Sequence, residues 1–140
     1  YPFFFFFQLA DRFIDSGPLA GILAGLEASP TEYAFFHACD IPDSDIGVAA
    51  RMFFRSCEDV ERSDGAKPDA VVPINRDGKI EPVFSLYRRT LIPLIRRRIE
   101  EGRRSVRGIY DQCTVEYREL RSDETLNNLN TPSDYERYVE

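Results

Sequence analysis

Tyr33-Ala34-Phe35-Phe36-His37-Ala38-Cys39-Asp40-Ile41-Pro42 is the stretch on which the fold turns. Tyr33 to Ala38 is a short apolar run rich in aromatic side chains, which predicts a buried strand. Pro42 blocks continuation of that strand and leaves Cys39-Asp40 at its carboxyl end. Ser44 then caps a helix whose apolar face carries Ile46, Ala49, Ala50, Phe53 and Phe54.

Working outward, the same alternation repeats. Upstream, Gly17-Pro18-Leu19-Ala20-Gly21-Ile22-Leu23-Ala24-Gly25-Leu26 opens a helix with proline in its first turn. Leu19, Ile22, Leu23 and Leu26 keep the i, i+3, i+4, i+7 spacing of a core-facing stripe. Gly17, Gly21 and Gly25 form a second stripe; an internal glycine costs about 1 kcal/mol against alanine, which close approach of a backbone or ligand would explain. Before this helix, Phe3–Phe7 predicts another buried strand, of a kind that normally lies between other strands. Downstream, Glu58–Asp69 reads as a surface loop, Ala70–Ile74 as a strand, Asp77-Gly78 as a turn and Ile80–Tyr87 as a returning strand, making a hairpin. A helix follows from about Thr90 to Glu101, with Leu91, Leu94, Ile95 and Ile99 inward and Gly102 as its stop. Ser105 is placed to cap a short helix reaching Gln112, and Thr114–Leu120 alternates as a strand exposed on one face. Thr131-Pro132-Ser133-Asp134 forms a capping box for a C-terminal helix. Helices alternating with short buried strands define one α/β domain, with a mostly parallel sheet containing an antiparallel hairpin. Phe3–Phe7, Tyr33–Ala38 and Ala70–Ile74 are expected as neighbours in it.

Composition narrows the chemistry. At 140 residues, 43% hydrophobic and 30% charged, the chain suits a globular domain that buries roughly 70% of its unfolded surface. A net charge of -6 disfavours a nucleic-acid surface, whose affinity rests on phosphate neutralisation. The apolar run at the start is too short to span a bilayer and lacks the flanks of a signal peptide. Cys39, Cys57 and Cys113 have no metal-ligand or redox spacing and read as reduced thiols of a cytoplasmic protein. His37 is the only histidine, so one chain supplies neither a Ser-His-Asp triad nor a multi-histidine metal site. It sits in an apolar run, where a core or half-buried place suits it better than catalysis.

In open α/β sheets ligands bind beyond the carboxyl ends of strands, near helix N-termini. Three segments fall there. The helix opening at Gly17 offers unpaired N–H groups and a glycine face. Asp40 ends a strand, where its carboxylate serves as a Mg²⁺ ligand or simply as a loop or capping residue. Asn128-Leu129-Asn130 turns both amides to one side, or serves as a turn former. Cys39 beside Asp40 reads as a small buried side chain rather than a nucleophile. Arg96–Arg98 and Arg103-Arg104 read as a solvated face rather than a phosphate patch.

Together these segments resemble molybdenum cofactor guanylyltransferases of the MobA type. The resemblance rests on Asp15-Ser16-Gly17-Pro18-Leu19-Ala20-Gly21-Ile22, Cys39-Asp40-Ile41-Pro42 and Asn128-Leu129-Asn130-Thr131-Pro132-Ser133-Asp134, in that order. Between them, Glu81-Pro82-Val83 with Leu86-Tyr87 resembles the family's substrate-side strand, and Glu101-Gly102-Arg103-Arg104-Ser105 its following turn. The resemblance implies a Rossmann-like, three-layer nucleotidyltransferase fold and transfer of GMP from GTP to molybdopterin with release of pyrophosphate. It implies Gly17, Pro18, Leu19 and Gly21 at the guanine, Asp40 as the Mg²⁺ ligand, Asn128 and Asn130 near the metal or pterin-side phosphate, and Glu81 and Pro82 towards molybdopterin. Proteins that deliver molybdopterin or mature molybdoenzymes are the implied partners, with no nucleic acid or membrane. The family's glycine-rich loop, with its Arg and Lys, has no counterpart before Asp15, so the chain reads as N-terminally truncated and by itself weakly active. A related cytidylyltransferase or sugar-nucleotide transferase, or a non-catalytic molybdopterin-binding homologue, are the alternatives.

Overall fold

A computed structural model describes residues 5–9, 17–38, 53, 57, 59–60, 65–74, 78, 80 and 84–119. Five strands form one sheet: β1 (Phe5–Leu9), β2 (Tyr33–Ala38), β3 (Ala70–Ile74), β4 (Phe84–Arg88) and β5 (Val115–Glu119). Their spatial order is β1-β2-β4-β3-β5. β1 runs parallel to β2 over its whole length, from Phe5 opposite Ala34 to Leu9 opposite Ala38. β4 is antiparallel to both β2 and β3, and β5 is parallel to β3. The sheet is therefore mixed, with β4 alone reversed.

The expected neighbours need one correction. β3 does not lie beside β2, because β4 is inserted between them. The physical reason is the short turn around Gly78, whose φ of +81° is a glycine conformation. It folds the chain straight back, so β4 occupies the edge of β3 that β2 would otherwise have taken. The returning strand is also shorter than Ile80–Tyr87: it begins at Phe84, and Ile80 keeps only an isolated bridge to Ile74. The first strand is described from Phe5 and runs on to Leu9, two residues beyond Phe7, and it lies at the edge of the described sheet.

Alternate residues of β2 build two faces. Phe35, opposite Leu86, packs edge-on against Phe84 with ring centroids 4.8 Å apart, and Phe53, a helical residue, covers both from above. Phe36 and Tyr87 meet on the reverse face. There the Tyr87 hydroxyl shares a 2.8 Å hydrogen bond with Tyr110 from the 3-10 helix Arg107–Gln112. Burial pushes both phenols up in pKa, so the pair stays neutral. That side also carries α1 (Pro18–Ala28) and α2 (Ile92–Glu100). A mixed sheet covered by helices is the expected α/β class, and helical Phe53 stands on the face opposite α1 and α2.

α1 sends Leu19, Ile22 and Leu26 fully into the core, with Leu23 partly buried. α2 is preceded by a 3-10 turn, Arg89–Leu91, so the helix proper starts two residues after Thr90. It ends where Gly102, at φ +76°, donates to the carbonyl of Ile99 and Arg103 donates to that of Arg98, the paired bonds of a Schellman stop. Ser105 does not cap the next helix, which opens from Val106 with no side-chain cap. Arg98 is not on a solvated face: it is 7% exposed. The expected C-terminal helix and the Ser44 helix, apart from Phe53, lie outside the described residues.

Candidate active site

Strand direction sorts the sheet into two ends. β1, β2, β3 and β5 share one direction, so Leu9, Ala38, Ile74 and Glu119 finish at the same edge, where β4 begins at Phe84. α1, the crossover between parallel β1 and β2, opens at this edge with Gly17. In sequence, Asp40 stands two residues after Ala38, and Glu81-Pro82 stands two residues before Phe84. Asp40, Glu81, Pro82, Asn128 and Asn130 themselves lie outside the described residues, as does Cys39.

Gly17 is held by its surroundings as well as by its backbone. Its φ of +85° is a region that side chains disfavour, and a Cβ there would stand 3.0 Å from Cβ of Arg104. The first signature is thus packed directly onto the Gly102–Ser105 turn, although the two are far apart in sequence. Pro18 takes the first helical turn, and no side chain caps the helix. Unpaired N–H groups of such a helix start favour an anion. Gly17, Pro18 and Gly21 are buried. Leu19 is fully enclosed, with its side chain in the core cluster rather than at the helix mouth.

The opposite end of the sheet is closed by polar clamps. Glu32 accepts hydrogen bonds from Lys67 (3.1 Å) and Arg88 (2.7 Å). Tyr33 donates its hydroxyl to the carbonyl of Pro68. Asp69 accepts from the Thr90 hydroxyl at 2.7 Å and from the Thr114 N–H at 3.0 Å. These described polar groups are paired with one another, which leaves the other end of the sheet as the candidate site. His37 is half-buried beside Phe35, its ring centroid 6.2 Å away. Cys57 is buried and Cys113 half-buried, and neither forms a disulfide.

Two arginines escaped the sequence reading. Arg104 as the neighbour of Gly17 carried no local signal, because only the tertiary fold joins them. Arg98 did carry one: it follows Leu91 and Ile95 at helical spacing, on the inward stripe.

A mixed five-stranded α/β sheet with a helix N-terminus opening at the carboxyl ends of its parallel strands is the architecture of a nucleotide-handling domain. The chain belongs to the MobA-like NTP transferase domain family, which matches residues 5–117. It is 29% identical over 136 residues to a probable molybdenum cofactor guanylyltransferase of Carboxydothermus hydrogenoformans, covering 92% of this chain and 64% of that protein. It is 31% identical to the molybdenum cofactor guanylyltransferase of Vibrio parahaemolyticus, covering 96% of this chain and 65% of that one. Among solved structures, the molybdopterin-guanine dinucleotide biosynthesis protein A of Archaeoglobus fulgidus superposes with a TM-score of 0.61 at 22% identity. That likeness covers 86% of this chain and 60% of the other, and it bears out the fold. The chain therefore spans less than two-thirds of the length of these relatives.

Proposed function

We propose that the protein is a guanylyltransferase that moves GMP from GTP to molybdopterin and releases pyrophosphate. The observation that carries this reading is the shared edge at which β1, β2, β3 and β5 end and α1 begins. The named relatives support it. In this reading the opening of α1 receives the guanine beside Pro18 and Gly21, while Gly17, whose free side is taken by Arg104, shapes the helix start and Leu19 anchors it from the core. Glu81 and Pro82 face the pterin, and Asn128 and Asn130 donate amide hydrogens near the pterin-side phosphate. The acceptor phosphate is its own nucleophile, so the chain needs to orient two substrates in line and supplies no attacking side chain. The reaction belongs in the cytoplasm; among the described residues no helix is long and apolar enough to cross a membrane.

No three His, Cys, Asp or Glu gather around a metal position among the described residues. Mg²⁺ does not require such a cage, since one or two carboxylates plus substrate phosphates and water suffice. Asp40 fits that donor set as the first carboxylate after β2. Bound there, Mg²⁺ would neutralise charge at the α-phosphate.

Asp40→Asn tests the reading. The amide keeps the carboxylate's shape and removes its charge, so thermal melting and GTP affinity should hold. GMP transfer should fall about a hundredfold, on the order of 3 kcal/mol of lost electrostatic stabilisation. Gly21→Leu should instead weaken GTP binding by bulk and leave the Mg²⁺ dependence alone. Normal transfer by Asp40→Asn at low Mg²⁺ would remove Asp40 from the mechanism.

A further inference from the structure

Arg98 occupies a place where the helix pattern asks for an apolar side chain. Leu91 and Ile95 on the same stripe are 2% and 0% exposed, and Arg98 is 7% exposed. Its guanidinium meets Gly108: a side chain at that position would collide with Nη2 and stand 2.9 Å from Cζ. Gly108 therefore makes the slot that the cation fills. Nε is sealed from solvent and has no hydrogen-bond partner, and none of the ion pairs among the described residues involves Arg98. Because Nε is the one buried nitrogen without a partner, the guanidinium is closed at its root and open at its Nη tip. A guanidinium keeps its charge inside a protein, and a buried charge without a counter-charge is strongly disfavoured.

Among the described residues no carboxylate pairs with it. Residues 96–108 hold six arginines against Glu100 and Glu101, and Glu101 is already paired with Arg103. Arg97, Arg103 and Arg107 are exposed around the slot. Net positive charge beside a donor fork suits a multiply charged tetrahedral oxyanion better than a single carboxylate.

The geometry points to a phosphate-binding site at the Arg98–Gly108 contact, with a small phosphate-bearing anion seated on the Nη end of Arg98. This does not depend on the guanylyl-transfer reading. The competing explanation is that the arginine stem merely fills the core while its tip reaches water. Arg98→Met separates the two, since it keeps the stem and removes the charge. Thermal melting is followed while inorganic phosphate, or separately glycerol phosphate, a phosphate ester with no base for the proposed guanine site, replaces chloride at constant ionic strength. The native protein should gain about 3–6 °C at ten times the dissociation constant. The anion that saturates at the lower concentration identifies whether free phosphate or a phosphate ester is the source. Arg96→Gln, at an exposed residue paired with Glu27, should respond as the native protein does, and Arg98→Met should not respond. Gly108→Ala should also lose the response with the net charge unchanged; if it does not fold, Arg98→Met decides. No rise beyond that in chloride, or an equal rise in Arg98→Met, would overturn the site.

Discussion

Gly17 shows how one residue answers to two demands. Its φ of +85° and the 3.0 Å approach of Arg104 leave no room for even a methyl group without movement. Gly17→Ala is therefore expected to cost about 1–3 kcal/mol, read as a shift in the urea midpoint with unchanged slope. The motif spelling made the glycine visible; the identity of its neighbour was not legible, because Arg104 reaches it only through the packing of α2 against α1. Cys113 gives a second residue-level expectation. Burial, with Asp69 adding to it, pushes its thiol up to about 11. At pH 8 its thiolate should be on the order of a hundredfold scarcer than that of an ordinary cysteine. Alkylation followed by mass spectrometry should find Cys113 slow at pH 8, quickening only as the pH nears that value.

At the scale of elements, β4 is the decisive piece. Wedged between β2 and β3, it has both edges paired, and Leu86 is fully buried. Leu86→Ala should cost about 2–5 kcal/mol. Tyr117→Ala on β5, where Tyr117 is 46% exposed, should stay within about 0.5 kcal/mol. Equal effects in denaturation curves would contradict the inferred core. β2 and β3 were legible to the residue, because each apolar run is bounded by turn formers. β1 was not, since a uniform phenylalanine run has no period to mark its ends. In α2, charge obscured position: three consecutive arginines read as a solvated face, yet helical geometry turns Arg98 inward with Ile95 while Arg96 and Arg97 stay exposed.

For the whole molecule, the clamped end of the sheet contributes to stability, and the proposed site lies at the end where β1, β2, β3 and β5 finish. Glu32 ties β4 and the Lys67 loop at the clamped end. Burial raises its carboxyl, but hydrogen bonds and charge from Lys67 and Arg88 outweigh that and hold it below the usual value. A carboxylate depressed in the folded state stabilises above its unfolded pKa, and that contribution is lost as pH falls through the folded value. Glu32→Gln should therefore lower the denaturation midpoint at pH 7, and its difference from the native protein should shrink as the pH falls below the ordinary carboxylate range. The effect should be small, because the pair is partly solvated and screened.

The sequence by itself determined the α/β class, the strands Tyr33–Ala38 and Ala70–Ile74, the hairpin and the family, because periodicity, turn residues and ordered motifs are local properties of the chain. Only the tertiary structure decided the strand order, the edge where β1, β2, β3 and β5 end together, the seat of Gly17 on Arg104 and the burial of Arg98 against Gly108. Those depend on which sheet edge a returning strand takes and which helix faces meet, and such long-range choices are made by packing, which no local pattern encodes.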